Sequence, residues 1–482
     1  MGYYNANRFH YVVLLTWQLA IFLATQMLFS IFANYTPKWK CGEDDHFDTN
    51  CTIFTECKGN LVFEEPAFNS VVMEFQNFCD GNTKNTYLRN YSQMVFVGVF
   101  FGTVFFGWLA DVHGRKPISL LVFGGCVVFN GASAFIQSPN TLLVMRAVIG
   151  FTVGGVIVVV CTYCNELLLP QQRIMMRAFF NWGTGRMLQT LLCYLFPDWR
   201  RATLAISAAA FPAILSVLFI LPESPIWLHN KGKYVLMKES EEKIAKFAGR
   251  AHIPIEHKKV EKSKNIIEMI SSKKTLGKLW VLGFMWWCSA TCSYANDLNS
   301  GSLSGNFYLN QFLFGLIIYF SKWVMAWADK EFPNFSRRRL HQMSQIAVCV
   351  CFLIMIILLS FGRKGLFLTI LNIIGCVCIE FTWDANQLCA VESLPTACRA
   401  SAVGSCSLVA RIGSLLAPFI AFSAQFWSPA VYVTVFILGA INFFVAFFWL
   451  TETKNINLES LDVDEEEKSE QNEKRLIDGE NA

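Results

Sequence analysis

Apolar runs long enough to cross a bilayer recur along most of this chain, and they constrain its fold more than any other feature. Twelve stand out: 11–33, 93–110, 118–137, 141–164, 174–196 and 201–221, then 279–298, 306–327, 341–361, 366–386, 400–421 and 429–450. A stretch of about 18 or more residues with few charges reads as a membrane helix. The expectation is an all-α membrane protein with twelve transmembrane helices. Composition points the same way. Of 482 residues, 54% are hydrophobic and 16% charged, against about 45–50% and 25% in an average soluble domain. That balance argues against a soluble enzyme, and the spans leave little other chain for catalysis. His is scarce at 7, and no metal-spaced motif, nucleophile motif or phosphate-binding Gly-rich loop with Lys-Ser/Thr is found. The reading is of no enzyme, no catalytic residue, no metal, no cofactor and no nucleic-acid partner.

The net charge of +4 hides three contrasting segments. Residues 37–92 hold nine acids against five bases, 231–278 thirteen bases against six acids, and 459–482 ten acids against three bases. Lys and Arg concentrate in cytoplasmic loops. The loops after spans two, four, eight and ten carry Arg115, Lys116, Arg173, Arg337, Arg338, Arg339 and Arg399, and the basic stretch follows span six. Both termini are therefore expected in the cytoplasm and residues 34–92 outside, with Arg200, Arg201, Arg363 and Lys364 as a minority against it. The expected organisation is 1–33 (N-terminus and helix 1), 34–92 (outer segment), 93–221 (helices 2–6), 222–278 (cytoplasmic linker), 279–450 (helices 7–12) and 451–482 (acidic cytoplasmic tail). The first run is too long for a signal-peptide core and lacks a small-residue cleavage site, so it reads as a signal anchor. A multi-pass monomer of the plasma membrane, in contact with the lipid bilayer, is expected.

The outer segment carries Cys41, Cys51, Cys57 and Cys79, and sequons at Asn34, Asn50 and Asn90. The other thirteen cysteines lie in or beside spans, where a thiol acts as a small apolar residue. Four cysteines pair in three ways, and sequence does not choose among them. A disulfide-closed, glycosylated outer segment is expected, with Asn50 the best acceptor because Asn34 and Asn90 lie near its membrane ends.

The two halves echo each other. Glu166 follows span four with Arg173 seven positions on; Glu392 follows span ten with Arg399 seven positions on. The glutamates are 226 positions apart. Asp111, in Gly107-Trp-Leu-Ala-Asp111-Val-His-Gly114-Arg115-Lys116, is matched 218 positions later by Asp329, ahead of Arg337 to Arg339. Six spans repeated, with matching charges, is the pattern of a duplicated transporter. Carboxylates favour helix N-termini and Arg favours carboxylates, so these groups are expected to lock the halves together on one side and release them in the other state.

Several of these stretches are familiar. Gly107 to Lys116 resembles the loop 2–3 signature of the major facilitator superfamily, and Arg146-Ala-Val-Ile-Gly150 its fourth-helix motif. Leu221-Pro-Glu223-Ser-Pro-Ile-Trp-Leu228 resembles the segment after helix six in sugar porters and organic-ion transporters. Val391-Glu-Ser-Leu-Pro-Thr-Ala-Cys-Arg399, running to Arg411-Ile-Gly413, is similar to the helix 10–11 region of the organic cation/anion/zwitterion transporters of the solute carriers. The resemblance covers nearly the whole chain. It implies two six-helix halves in the major facilitator fold, and gating roles for Gly107, Asp111, Gly114, Arg115, Lys116, Arg146, Glu166, Arg173, Glu223, Asp329, Glu392 and Arg399. Val112 and Ile226 stand where the family usually has Arg, and four outer cysteines where it often has six.

Ionisable groups inside spans cost about 2.5–3.5 kcal/mol each near the bilayer centre, so each needs a partner or a watery cavity. Five are singled out: Arg186, Lys322, Glu380, Asp384 and Arg411. In the family, Arg at the place of Arg411 marks the anion and carnitine branches. Arg411 and Lys322 facing one cavity would attract a carboxylate or sulfate, with Arg186 a further candidate. Trp286, Trp287 and Tyr294 would hold an apolar body, or serve only as packing surface. Lys322 would otherwise snorkel to the cytoplasmic face. Glu380 and Asp384, four apart on one helix face, would balance these cations or carry a coupled proton. If they balance them, the cavity is not cationic. The leading function is alternating-access transport of small organic ions, anions favoured, with a coupling ion or counter-anion as further partner. The competing functions are a carnitine-like zwitterion or organic cation carrier and a non-transporting regulatory relative.

Overall fold

The computed structural model describes residues 7–42, 47–49, 51–57, 61–81, 83–168, 179–249, 273–332, 336–363, 365–393 and 396–450. Twelve long helices fill these residues, numbered here 1 to 12. They are Arg8–Met27, Thr86–His113, Arg115–Ser133, Pro139–Glu166, Trp182–Leu195 and Trp199–Ile220, then Lys273–Asn299, Phe307–Glu331, Arg337–Ser360, Leu366–Glu392, Thr396–Ser423 and Ala430–Trp449. Ten meet the length and hydropathy of a membrane span. Helix 5 has 14 described residues. Helix 7 is long enough but carries a buried polar row, Ser289, Thr291, Ser293, Asn296, Asp297 and Asn299, which marks it as an interior helix.

Breaks between helices are written locally. Asn85, Asn181, Asp198, Asn306 and Ser336 each accept a backbone N–H from the first turn of the following helix, the bond that satisfies an orphan helix donor. Gly114 alone separates helices 2 and 3. It holds φ +113°, which a side chain would resist, so the chain reverses within one residue.

Glycines set the closest helix pair. Gly98 and Gly102 on helix 2 face Gly150 and Gly154 on helix 4. A Cβ at Gly98 or Gly102 would run into the backbone at Ala147 or Phe151, and one at Gly150 or Gly154 into that at Val95 or Val99. Small residues four apart let membrane helices approach at backbone distance.

Between helices 1 and 2 the chain forms a small disulfide-closed module. Trp39–Cys41 pairs antiparallel with Leu61–Phe63, and Trp39 is buried against Phe54, Phe63 and Phe78. The bridges are Cys41–Cys57 and Cys51–Cys79. So small a core needs such staples. The module docks on helix 6: Glu74 receives hydrogen bonds from Trp199 Nε1 (2.6 Å) and Arg200 Nε (3.0 Å). Burial pushes the Glu74 carboxyl up, but the Arg200 and Trp199 hydrogen bonds and the Arg200 charge outweigh it and hold it below the usual carboxylate range. A lowered carboxylate stabilises above its ordinary range and loses that contribution as pH falls through the lowered value. Glu74→Gln is therefore expected to cost about 0.5–1 kcal/mol at pH 7 and nothing in acid. Thermal unfolding of both chains across pH 3–7 checks it; a difference that grows toward acid refutes it.

Asn34 does not suit its expected role as a glycan acceptor. Its Nδ2 donates to Leu88 O (2.8 Å) and Ser92 Oγ (3.1 Å), fastening the short helix Phe29–Ala33, which follows helix 1, to helix 2. Asn90 is half-buried in the first turns of helix 2, and its Oδ1 accepts from Arg89. Asn50 and the tail 451–482 lie outside the described residues.

The two halves touch along helix 8: Phe179 packs on Trp323 (4.2 Å between ring centroids) toward its C-terminal end, and a cluster of rings meets at the disulfide-bearing end. Phe307 packs on Phe32 (5.3 Å between ring centroids) and Tyr35 (4.8 Å), and Tyr308 on Tyr194 (5.3 Å). Arg89 lies over Phe419 and Phe422 (5.2 and 5.4 Å). That end of the seam is closed.

Candidate functional site

The loop 2–3 charges converge because helix 3 starts one residue after helix 2 ends. Arg115 Nη1 meets Asp111 Oδ1 at 2.7 Å, and its Nε meets Glu166 Oε1 at 3.3 Å. Glu223 caps helix 3: its Oε1 accepts from the backbone N–H of Arg115 (2.9 Å) and Lys116 (3.1 Å). A Cβ at Gly114 would lie 2.5 Å from Glu223 Oε2, so the glycine leaves room for the carboxylate. Trp227 Nε1 donates to Asp111 O, and Lys116 Nζ reaches Leu218 O.

The second half repeats one element of this. Arg337 Nε meets Glu392 Oε1 at 3.4 Å, as Arg115 meets Glu166. The 226-residue echo of the glutamates is thus also a geometric echo.

These pairs do not lock the halves together, as had been expected of them. Among the described residues Asp111, Arg115, Glu166 and Glu223 tie helices within the first half, and Arg337 with Glu392 ties helices 9 and 10 within the second. The reason is reach: each arginine finds a carboxylate on the next helix end of its own half. Arg146 is also internal. It is buried, stacks on Tyr91 (4.8 Å), and donates to Gln26 O (2.9 Å) in helix 1. Gly107 faces Val158 of helix 4. Arg173 and the side chains of Asp329 and Arg399 lie outside the described residues.

At the seam the expected cationic cavity is not formed. Lys322 Nζ on helix 8 contacts Glu380 Oε2 (3.0 Å) and Asp384 Oδ1 (2.9 Å) on helix 10. The lysine does not snorkel; two acids one turn apart hold it across the helix pair. Arg186 Nη1 on helix 5 contacts Asp297 Oδ1 on helix 7 at 2.6 Å, and its Nη2 donates to Gln311 on helix 8 (2.7 Å). Asp297 escaped the sequence reading because it sits at the very end of span seven. The demand of Arg186 for a partner was the signal that pointed to it.

Arg411 differs from both. It is half-buried on helix 11, near Tyr294 of helix 7, and its Nε has no hydrogen-bond partner. Among the described residues no carboxylate lies within ion-pair distance of it. Tyr294 also packs edge-on against Phe96 of helix 2 (5.1 Å), so this cation stands where helices 2, 7 and 11 meet across the seam. Trp287 is half-buried on helix 7, which packs closely on helix 11: a Cβ at Gly413 would lie 2.6 Å from the Trp287 carbonyl. Trp286 belongs to the core instead: it donates to Asn386 O and packs on Trp383.

A twelve-helix bundle of two repeated halves, with ionisable groups along their seam, defines a membrane transporter of the major facilitator superfamily. The sugar (and other) transporter family model matches residues 66–464, and the chain belongs to that family. It is similar to an uncharacterized protein of Caenorhabditis elegans, F23F12.3, at 35% identity covering 99% of this chain and 98% of that one. It is 27% identical to solute carrier family 22 member 16 of Xenopus laevis (86% of this chain, 74% of the relative). With member 6 of that family from Mus musculus it shares 24% identity (82% and 73%). The fold matches the proton:xylose symporter XylE bound to 6-bromo-6-deoxy-D-glucose, with TM-score 0.65, 14% identity and coverage of 94% of this chain and 98% of that one. The chain is a transporter and not an enzyme.

Proposed function

We propose that the protein carries small organic ions across the plasma membrane by alternating access, with organic anions favoured and Arg411 as the anchor for their acidic group. Both termini lie in the cytoplasm in this reading, and the disulfide-closed module outside. The observation that carries it is Arg411, a half-buried cation at the seam, near Tyr294, with no carboxylate among the described residues within ion-pair distance. A guanidinium binds carboxylate or sulfate in bidentate geometry, and more strongly where water is excluded. Arg186 and Lys322 act here as internally balanced groups, and Glu380 and Asp384 as the acids that balance Lys322.

A zwitterion carrier is the second reading, on one observation. Glu380 and Asp384 on helix 10 reach Lys322 at the seam that also holds Arg411. Acids and a cation therefore share the seam, as a substrate with an amine and a carboxylate would require.

Uptake of labelled dicarboxylates, urate, carnitine and quaternary amines by cells expressing the chain tests both. Anion uptake that falls at least tenfold in Arg411→Ala supports the first. Preferred, competable carnitine uptake supports the second. Uptake restricted to quaternary amines and untouched by Arg411→Ala refutes both.

A further inference from the structure

Among the described residues seven ion-pair contacts are formed, and six join groups on the same side of the seam: Arg115 with Asp111 and Glu166, Arg200 with Glu74, Lys322 with Glu380 and Asp384, and Arg337 with Glu392. Arg186–Asp297 alone crosses from one half to the other. Its side chains are each 4% exposed, and helix 8 of the second half completes it through Gln311 and the Phe314 ring, 4.7 Å from the guanidinium.

Its surroundings fit a contact made and broken as a unit. One turn before Arg186, Gly183 meets Gly315 of helix 8 at backbone distance. A Cβ at Gly315 would lie 2.8 Å from Met187 Cγ and 2.9 Å from Gly183 O. Asp297 is two residues from the end of helix 7, and Gln311 is in the second turn of helix 8. The pair therefore lies directly under the aromatic closure of Phe32, Tyr35 and Tyr194 on Phe307 and Tyr308. Transport by alternating access requires these ends to part.

We propose that Arg186 and Asp297 are a charged latch that holds the disulfide-bearing end of the seam shut. Closed, each charge satisfies the other away from water. Opened, both are hydrated, so the latch parts without leaving a bare charge in a dry interior. Removing one partner reverses this balance. The survivor is stranded only in the closed state, where an unpaired buried charge is most costly, so the seam shifts toward open. The inference needs only the transporter fold and holds whichever ion is carried.

The test is cross-linking at the aromatic closure. Tyr194→Cys and Tyr308→Cys are introduced in the full chain, with a protease site between helices 6 and 7. A short bis-thiosulfonate reagent then joins the halves, and cleaved chains that stay full length on a denaturing gel give the yield. Chains without the added cysteines set the background from native thiols. Arg186→Gln and Asp297→Asn are each expected to lower the yield at least threefold, and the exchange Arg186→Asp with Asp297→Arg to restore it within twofold. Either single variant cross-linking as the parent does overturns the latch, as does a folded exchange variant that stays low. The neutral pair Arg186→Leu with Asp297→Leu strands no charge and guards against misfolded single variants. It is expected to give a monodisperse protein that cross-links within twofold of the parent, because an apolar pair is buried in the closed state as readily as the ion pair. A yield as low as that of the single variants overturns the proposal, since no charge is then stranded, and so does failure to fold, because a latch is dispensable for folding.

Discussion

Gly102→Leu and Gly150→Leu are each expected to abolish recovery of folded protein. Helices 2 and 4 touch through backbone at these positions. A Cβ at Gly102 would overlap the Phe151 carbonyl, and one at Gly150 the Val95 carbonyl. A flexible side chain can rotate away from such a clash; a helix backbone cannot. Relief requires the two helices to separate along their glycine stripes, which empties the contacts of Val95, Val99, Ile149 and Val153, all fully buried. Overpacking usually costs about 1–3 kcal/mol, but loss of a whole helix interface belongs to the rare class above about 4–5 kcal/mol. Gly124→Ala is the control. Nothing lies within 4 Å of a Cβ there, and Ala favours helix over Gly by up to about 1 kcal/mol, so that variant should melt at or above the parent temperature. Size-exclusion profiles and thermal unfolding in detergent read all three. A monodisperse Gly102→Leu protein with a near-parent melting temperature would mean that these helices are free to move apart.

Much of the architecture was legible because a bilayer narrows the choices. The apolar runs announced a helical membrane protein, and the matching charges announced the two halves. The pairing of Arg115 with Glu166 and of Arg337 with Glu392 gives those spacings a physical form. What stayed illegible was azimuth. A sequence places Lys322 and Glu380 at their depths in helices 8 and 10, but not which faces those helices turn to each other. The cationic cavity therefore failed at Lys322 and Arg186 while its chemistry was sound: buried cations had partners, and the partners were nearer than a substrate. Asp297 lies inside the apolar run 279–298, at its next-to-last position, where depth alone does not distinguish a buried acid from one at the membrane edge. Gly98, Gly102, Gly150 and Gly154 were written in the sequence at four-residue spacing, yet that spacing alone does not say which helix lies opposite.

Replacing Lys322 with methionine is expected to remove most transport and to destabilise the second half by about 3–5 kcal/mol, the usual cost of breaking a buried ion pair by deleting one partner. Methionine fills much of the space of lysine, so packing is nearly preserved and the loss reports the charge. Glu380 and Asp384 would face the vacated site as like charges one turn apart on helix 10, in surroundings that left the lysine side chain only 14% exposed. A snorkelling lysine would behave otherwise: its charge would already sit in water, and Lys322→Met would melt within about 0.5 kcal/mol of the parent. Glu380→Gln added to Lys322→Met takes away one of the stranded charges and is expected to recover part of the stability, with a coupling of about 1–3 kcal/mol in the double-mutant cycle. Melting temperature and uptake measured on the same four chains then divide the roles of the pair. If stability returns in the double variant and uptake returns with it, the lysine serves to hold helix 8 against helix 10. If stability returns and uptake does not, the charge itself takes part in the transport path, and Lys322 must exchange its carboxylates for another partner during the cycle.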